Sequence, residues 1–428
     1  MSAELISIIV LVAVFVIATT RSINMGALAF AAAFGVGELV ADFDTDTIFA
    51  GFPGDLFVVL VGVTYLFAIA RANGTTDWLV HASIRVVRGR VALIPWVMFV
   101  LTGALTAIGA VSPAAVAIVA PIALSFATRY GISPLLMGAM VVHGAQGGGF
   151  SPISIYGSIV NGIVERENLP GNEIALFLAS LIVNLVIAGI LFVVLGGLKL
   201  TGAGDGTEAA GDKGVDEGHG EEKEAEEDTR LTPARIATLT ALVALVVAVL
   251  AFDLDAGLTS ISLAVMLSAC WPEDSRNAVG QIAWPTVLLI CGVLTYVAVL
   301  DEMGTIKWAG DGVSDIGIPL LASVLLCYIG AVISAFASSV GIMGALIPLA
   351  VPFLAQGEIG AIGMVAALAV SATVVDVSPF STNGALVLAA APGVDRERFF
   401  RQLMMYGGIV VAVVPAVVWL VLVVPGWG

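Results

Sequence analysis

Two ionisable side chains with hydrogen-bonding reach, His143 and Asp376, fall inside stretches that otherwise read as membrane-apolar. Such a group at membrane depth is costly and marks a functional site by default. Asp376 fits a cation or proton site, or a cap for freed amides; His143 fits a buried hydrogen bond better than a ligand contact. Each flanks a break in its apolar run: His143 precedes GGGFSPISIYG (147–157), and Asp376 opens DVSPFSTNG (376–384). Both segments read S-P-[I/F]-S-x-x-G, and Ser-Pro inside a helical run interrupts it. Hydroxyls, freed amides and carbonyls concentrated at such breaks can hold an anion and a cation together. Half-helices aiming positive ends at one point suit a carboxylate, and a co-bound cation would offset a second negative charge.

The elements that position these groups come in two copies. A shift of 227 residues carries Ser151, Pro152, Ser154 and Gly157 onto Ser378, Pro379, Ser381 and Gly384, and also Gly103, Ser112 and Pro121 onto Gly330, Ser339 and Pro348. A shift of 230 carries Gly74, Thr75 and Trp78 onto Gly304, Thr305 and Trp308. Interrupted hydrophobic segments at corresponding places in two halves point to the binding site of a secondary transporter.

Of the 428 residues 59% are hydrophobic and 12% charged, which makes the chain an integral membrane protein. We divide it into a first membrane repeat (1–200), an acidic disordered cytoplasmic linker (201–231) and a second, inverted repeat (232–428). The linker holds eleven Asp or Glu against Lys213, Lys223 and Arg230, too polar to offset its ordering entropy. The apolar run 6–20 follows Glu4 and no basic leader, so we expect it to stay as a helix. Residues 75–90 suit an amphipathic interfacial helix. The uncharged stretches 91–128 and 318–356 exceed one span, and fit either two tightly turned spans or a re-entrant hairpin tipped near 110–113 and 337–341. We expect the hairpin. The fold class is therefore all-α, with two inverted-topology repeats of about five spans, each with a re-entrant hairpin and a broken helix.

Placing 71–90 in the cytoplasm puts fifteen of the seventeen basic residues on the inner side and only Arg166 and Lys307 outside. Both termini are then external, and the protein sits in the inner (plasma) membrane. A membrane-embedded enzyme lacks support, because neither D-D-x-x-D nor H-E-x-x-H occurs. Cys270, Cys291 and Cys327 show no metal or redox spacing.

The segments INMGALAFAAAFGVG, FAGFPGDLFVVLVGVTYLFAIARANGT, GAVSPAAVAIVAPIAL and MVVHGAQGGGFSPISIYGSIVNGIV resemble the MatC-type malonate/dicarboxylate carriers through most of both halves except the linker. More distantly the architecture is similar to the divalent-anion sodium symporters of the ion-transporter superfamily. That resemblance implies a homodimer whose hairpins and broken helices move as an elevator, with sodium as the coupling ion and no organic cofactor. The symporters' Ser-Asn-Thr tip motif becomes Val111-Ser112-Pro113 and Ser338-Ser339-Val340 here, with Ser in place of Asn in both. Carried over, the candidate substrate ligands are Ser112, Pro113, Ser151, Ser154, Ser338, Ser339, Ser378, Pro379, Ser381 and Asn383. One cation is expected among Val111, Ser112 and Gly149, and another among Ala337, Ser339 and Asp376. The expected function is sodium-coupled import of malonate, with succinate or malate as alternatives and no nucleic-acid partner. Proton coupling or cation/proton exchange through Asp376 is the alternative, and a soluble binding protein is a further one.

Overall fold

The computed structural model describes residues 2–21, 23–86, 90–200, 231–252, 254–306, 308, 319–335, 339–354, 359–391 and 394–426. The linker from 201 to 230 lies outside them, as do Ala337 and Ser338. The described residues form helices and no strands.

The first half contributes α1 (Ala3–Thr20), α2 (Met25–Leu39), α3 (Thr45–Ala50), α4 (Gly54–Ala72), α5 (Thr75–Val86), α6 (Ile94–Ala107), α7 (Ser112–Tyr130), α8 (Pro134–Gly148), α9 (Ile155–Arg166) and α10 (Glu173–Val194). After the linker come α11 (Pro233–Phe252), α12 (Ala256–Cys270), α13 (Trp284–Glu302), α14 (Pro319–Ser334), α15 (Ser339–Leu354), α16 (Ala361–Val374), α17 (Thr382–Ala389) and α18 (Arg396–Val418), besides short helical turns. Six helices, namely α4, α7, α10, α11, α13 and α18 with its π-helical extension to Val423, are long and apolar enough to cross a membrane. The chain is a multi-pass membrane protein. Consistent with a lipid-facing surface, α10 leaves Ile174, Ile182, Ile190 and Val193 exposed, where a soluble protein would expose polar groups.

Helix starts follow the two shifts. Gly54 and Trp284 begin helices 230 residues apart, and Ser112 and Ser339, Pro134 and Ala361, and Ile155 and Thr382 do so 227 apart. The halves also exchange partners: α4 packs on α12 while α13 packs on α2, and α7 packs on α17 while α15 packs on α9. The α2–α13 crossing is so close that a Cβ at Gly26 would strike the Leu288 carbonyl, and one at Gly292 the Gly26 carbonyl. Only glycine lets two backbones approach this closely.

At the centre run α8 and α16. Every residue of α8 from Leu135 to Gly148 is buried, and so is every residue of α16 from Gly363 to Val374. Both helices end at the breaks. Their buried polar groups therefore have to find partners inside the protein.

Candidate substrate and cation site

The repeated S-P-x-S-x-x-G signature has a local structural cause. Ser154 and Ser381 are the N-caps of α9 and α17, and their hydroxyls accept from the N–H groups of Gly157 (3.1 Å) and Gly384 (3.4 Å). Each hydroxyl also donates back to the carbonyl of the first Ser, Ser151 or Ser378, at 2.7 Å. That fold brings the same carbonyl against the glycine, where a Cβ would collide with it in both copies. The Ser-Pro step ends one helix, the second Ser starts the next, and the Gly makes room.

Around these breaks the hydroxyls of Ser151, Ser378, Ser339 and Ser112 each engage a different partner. Ser151 donates to the carbonyl of Ala107, just before the first tip. Ser378 accepts from the N–H of Phe380 at 3.3 Å. The Ser339 hydroxyl lies 2.8 Å from that of Ser334, which donates to the Ala372 carbonyl at 2.5 Å. Ser112 accepts from Asn383 Nδ2 at 2.8 Å, joining the first tip to the second break.

Asn383 is the hub of a buried cluster. Its Nδ2 also donates to Asp376 Oδ2 (2.8 Å), and its backbone N–H donates to Oδ1 (3.4 Å). Gln146 Nε2, on α8, donates to the same Oδ2 at 3.0 Å. Tyr156 stands beside Ser112 and Asp376. Asp376 is 4% exposed, and Gln146 and Asn383 are fully buried. In each of these bonds the Asp376 carboxyl is the acceptor. What remains is an oxygen surplus: Gln146 Oε1 and Asn383 Oδ1 are both buried without a partner among the described residues. A buried amide oxygen left unpaired costs about 1–3 kcal/mol. Both oxygens belong to amides whose nitrogens bond the Asp376 carboxyl, so oxygen is the ligand type this cluster could offer a small cation.

Among the residues expected to bind cations, Gly149 and Val111 have carbonyls that already accept hydrogen bonds. The Gly149 carbonyl accepts from Ser154 Oγ (2.5 Å) and the Gly157 N–H (3.2 Å). That of Val111 accepts from Ala114 and Ala115 as α7 begins. Pro113 lines a cavity outside the first tip, and Pro379 lies in the second break. Ala337 and Ser338 fall outside the described residues.

His143 is a buried hydrogen-bonding residue, as expected. Its Nδ1 lies 2.7 Å from Asn184 Oδ1 on α10, and its Nε2 bonds the Tyr406 hydroxyl on α18. Asn184 in turn donates to the Ser180 carbonyl (2.9 Å), and Ser180 Oγ donates to the Gln146 carbonyl (3.0 Å). These side chains tie α8 to both closing helices. The sequence reading overlooked Gln146, Tyr156, Asn184 and Tyr406. Gln146 and Asn184 had a usable signal, since an amide in the middle of an apolar run needs a partner as an acid does.

Residues 1–149 match the N-terminus of the dicarboxylate carrier protein MatC. In structure the chain is similar to the Alcanivorax borkumensis YdaH transporter, whose crystal structure is described as having an unusual topology. The TM-score is 0.61 at 14% identity, with 98% of each chain covered, a likeness of fold. No curated protein matches the sequence.

Proposed function

We propose that the protein is a secondary active symporter that imports a small dicarboxylate, malonate first, together with sodium. The observation that carries this reading is the oxygen surplus around Asp376: one carboxylate and two amide oxygens without a partner among the described residues, Gln146 Oε1 and Asn383 Oδ1, the latter on a side chain that reaches the Ser112 hydroxyl at the first tip. Hard cations take oxygen ligands, and these four residues would hold the ion. Bound there, sodium supplies the positive charge that a dianion needs in a site with no buried base. Ser112 and the start of α7 would share the ion's field with a carboxylate. Each ligand then raises the other's affinity by the same factor.

The exchanged helix pairs suit two repeats related by a two-fold axis in the membrane plane, with the linker joining them in the cytoplasm and both termini outside. In this reading the hairpins and the buried broken helices form a body that slides against α1, α2, α4 and their counterparts in a plasma-membrane homodimer. Labelled malonate uptake by the purified protein in liposomes, with sodium and proton gradients imposed separately, tests the function. Accumulation driven by sodium alone supports the proposal. Accumulation driven only by protons would transfer the coupling role to Asp376 itself.

A further inference from the structure

Outside the first tip lies a cavity of about 290 Å³, walled by α4, α5, α7 and the start of α13. It touches the tip at Val111 and Pro113, on either side of the Ser112 whose hydroxyl is held by Asn383. Its walls are largely apolar, and among the described lining residues Arg71 alone is charged. Arg71 is exposed, and one of its five N–H groups donates to Gln281 Oε1 at 3.0 Å. Thr76 also lines the cavity. It is 2% exposed, and its hydroxyl has no partner among the described residues. The Thr64 hydroxyl, by contrast, is spent on the Leu60 carbonyl at 2.7 Å.

A guanidinium and the positive end of a helix border one small space, and Thr76 lines it with an unspent hydroxyl buried within the wall. Each favours negative charge, and together they leave it without a counter-charge. We infer that this cavity is a second anion site, a station where a small carboxylate docks on Arg71 and Thr76 before reaching, or after leaving, the tip. Its volume lies at the small end of ligand pockets, about 300–1,000 Å³, which suits a short dicarboxylate better than a nucleotide or a peptide. The inference rests on the anion-carrier reading, but it concerns a place separate from the Asp376 cluster.

The test uses the full chain with Ala283→Cys, a lining position, in a background where exposed Cys270 is replaced by Ser. Thr286→Cys serves if the first variant does not fold. The thiol is modified with anionic sulfonatoethyl and cationic trimethylammonioethyl methanethiosulfonate, alone and with malonate or sulfate present. The station predicts faster reaction with the anionic reagent, a preference that falls about tenfold or more in Arg71→Gln and survives in Arg71→Lys. Malonate should slow modification when Arg71 is present and not in Arg71→Gln. Charge preference with protection by sulfate but not malonate would support the station while contradicting the dicarboxylate reading. Equal rates for both reagents, unchanged by Arg71→Gln, would overturn the station and leave the carrier reading to the uptake assay.

Discussion

Replacing Gln146 by Met should barely change the stability of the sodium-free protein and yet remove about half or more of its stabilisation by sodium. The change deletes the 3.0 Å bond from Nε2 to Asp376, a hydrogen bond to a charged group worth about 1.5–3 kcal/mol. It also deletes Oε1, whose burial without a partner costs about 1–3 kcal/mol. Met fills nearly the same volume, so the two changes offset to within about 1 kcal/mol in the absence of sodium. Sodium bound at a hundred times its Kd would stabilise the parent by about 2.7 kcal/mol. Loss of even an outer-shell partner weakens metal binding by about ten- to a hundredfold, and a loss of that size at Gln146 would cut the increment to about 1.4–0.4 kcal/mol at the same concentration. Thermal unfolding of the purified protein in sodium and in choline reads both quantities. A variant strongly destabilised in choline but gaining the full sodium increment would refute the reasoning, because Oε1 would then be no ligand.

Other expectations follow from the same geometry. Gly157→Ala and Gly384→Ala each drive a Cβ into the carbonyl of the Ser six residues earlier, so each should lower stability by about 1–3 kcal/mol in thermal unfolding; an unchanged melting curve would contradict the tight cap. Tyr406→Phe strips the hydroxyl from buried His143 and should cost about 1–3 kcal/mol while leaving the sodium increment intact, since it touches α8 away from Asp376. A sodium increment that fell with it would show the two clusters to be coupled. Deleting residues 202–227 should leave malonate uptake in liposomes unchanged; lost uptake at normal membrane expression would give the linker more than a spacer's role.

The sequence made much of the fold legible because Ser, Pro and Gly recur at fixed shifts, and these residues start, stop and tighten helices. Ser112 and Ser339, like Ile155 and Thr382, begin helices where that register places them. The hydroxyls were harder to read. Ser154 and Ser381 look like ligands in a sequence, but each is spent as an N-cap on its own glycine, and nothing in the spacing separates a cap from a contact. Asp376 stood out because a charge in an apolar run is conspicuous. Gln146, which donates to it, did not, because an uncharged amide leaves hydropathy nearly unbroken. The exchange of partners between halves, which brings Asn383 to Ser112, depends on contacts 271 residues apart and has no local signature.

The central claim is that a sodium ion at the Asp376 cluster makes the dicarboxylate bind. Calorimetric titration of malonate into the purified protein, in sodium and in choline, for the parent and Asp376→Asn, tests it most directly. The account predicts binding in the parent that strengthens as sodium rises, and a sodium dependence that vanishes in Asp376→Asn. Equal malonate affinity in sodium and choline for the parent would contradict it.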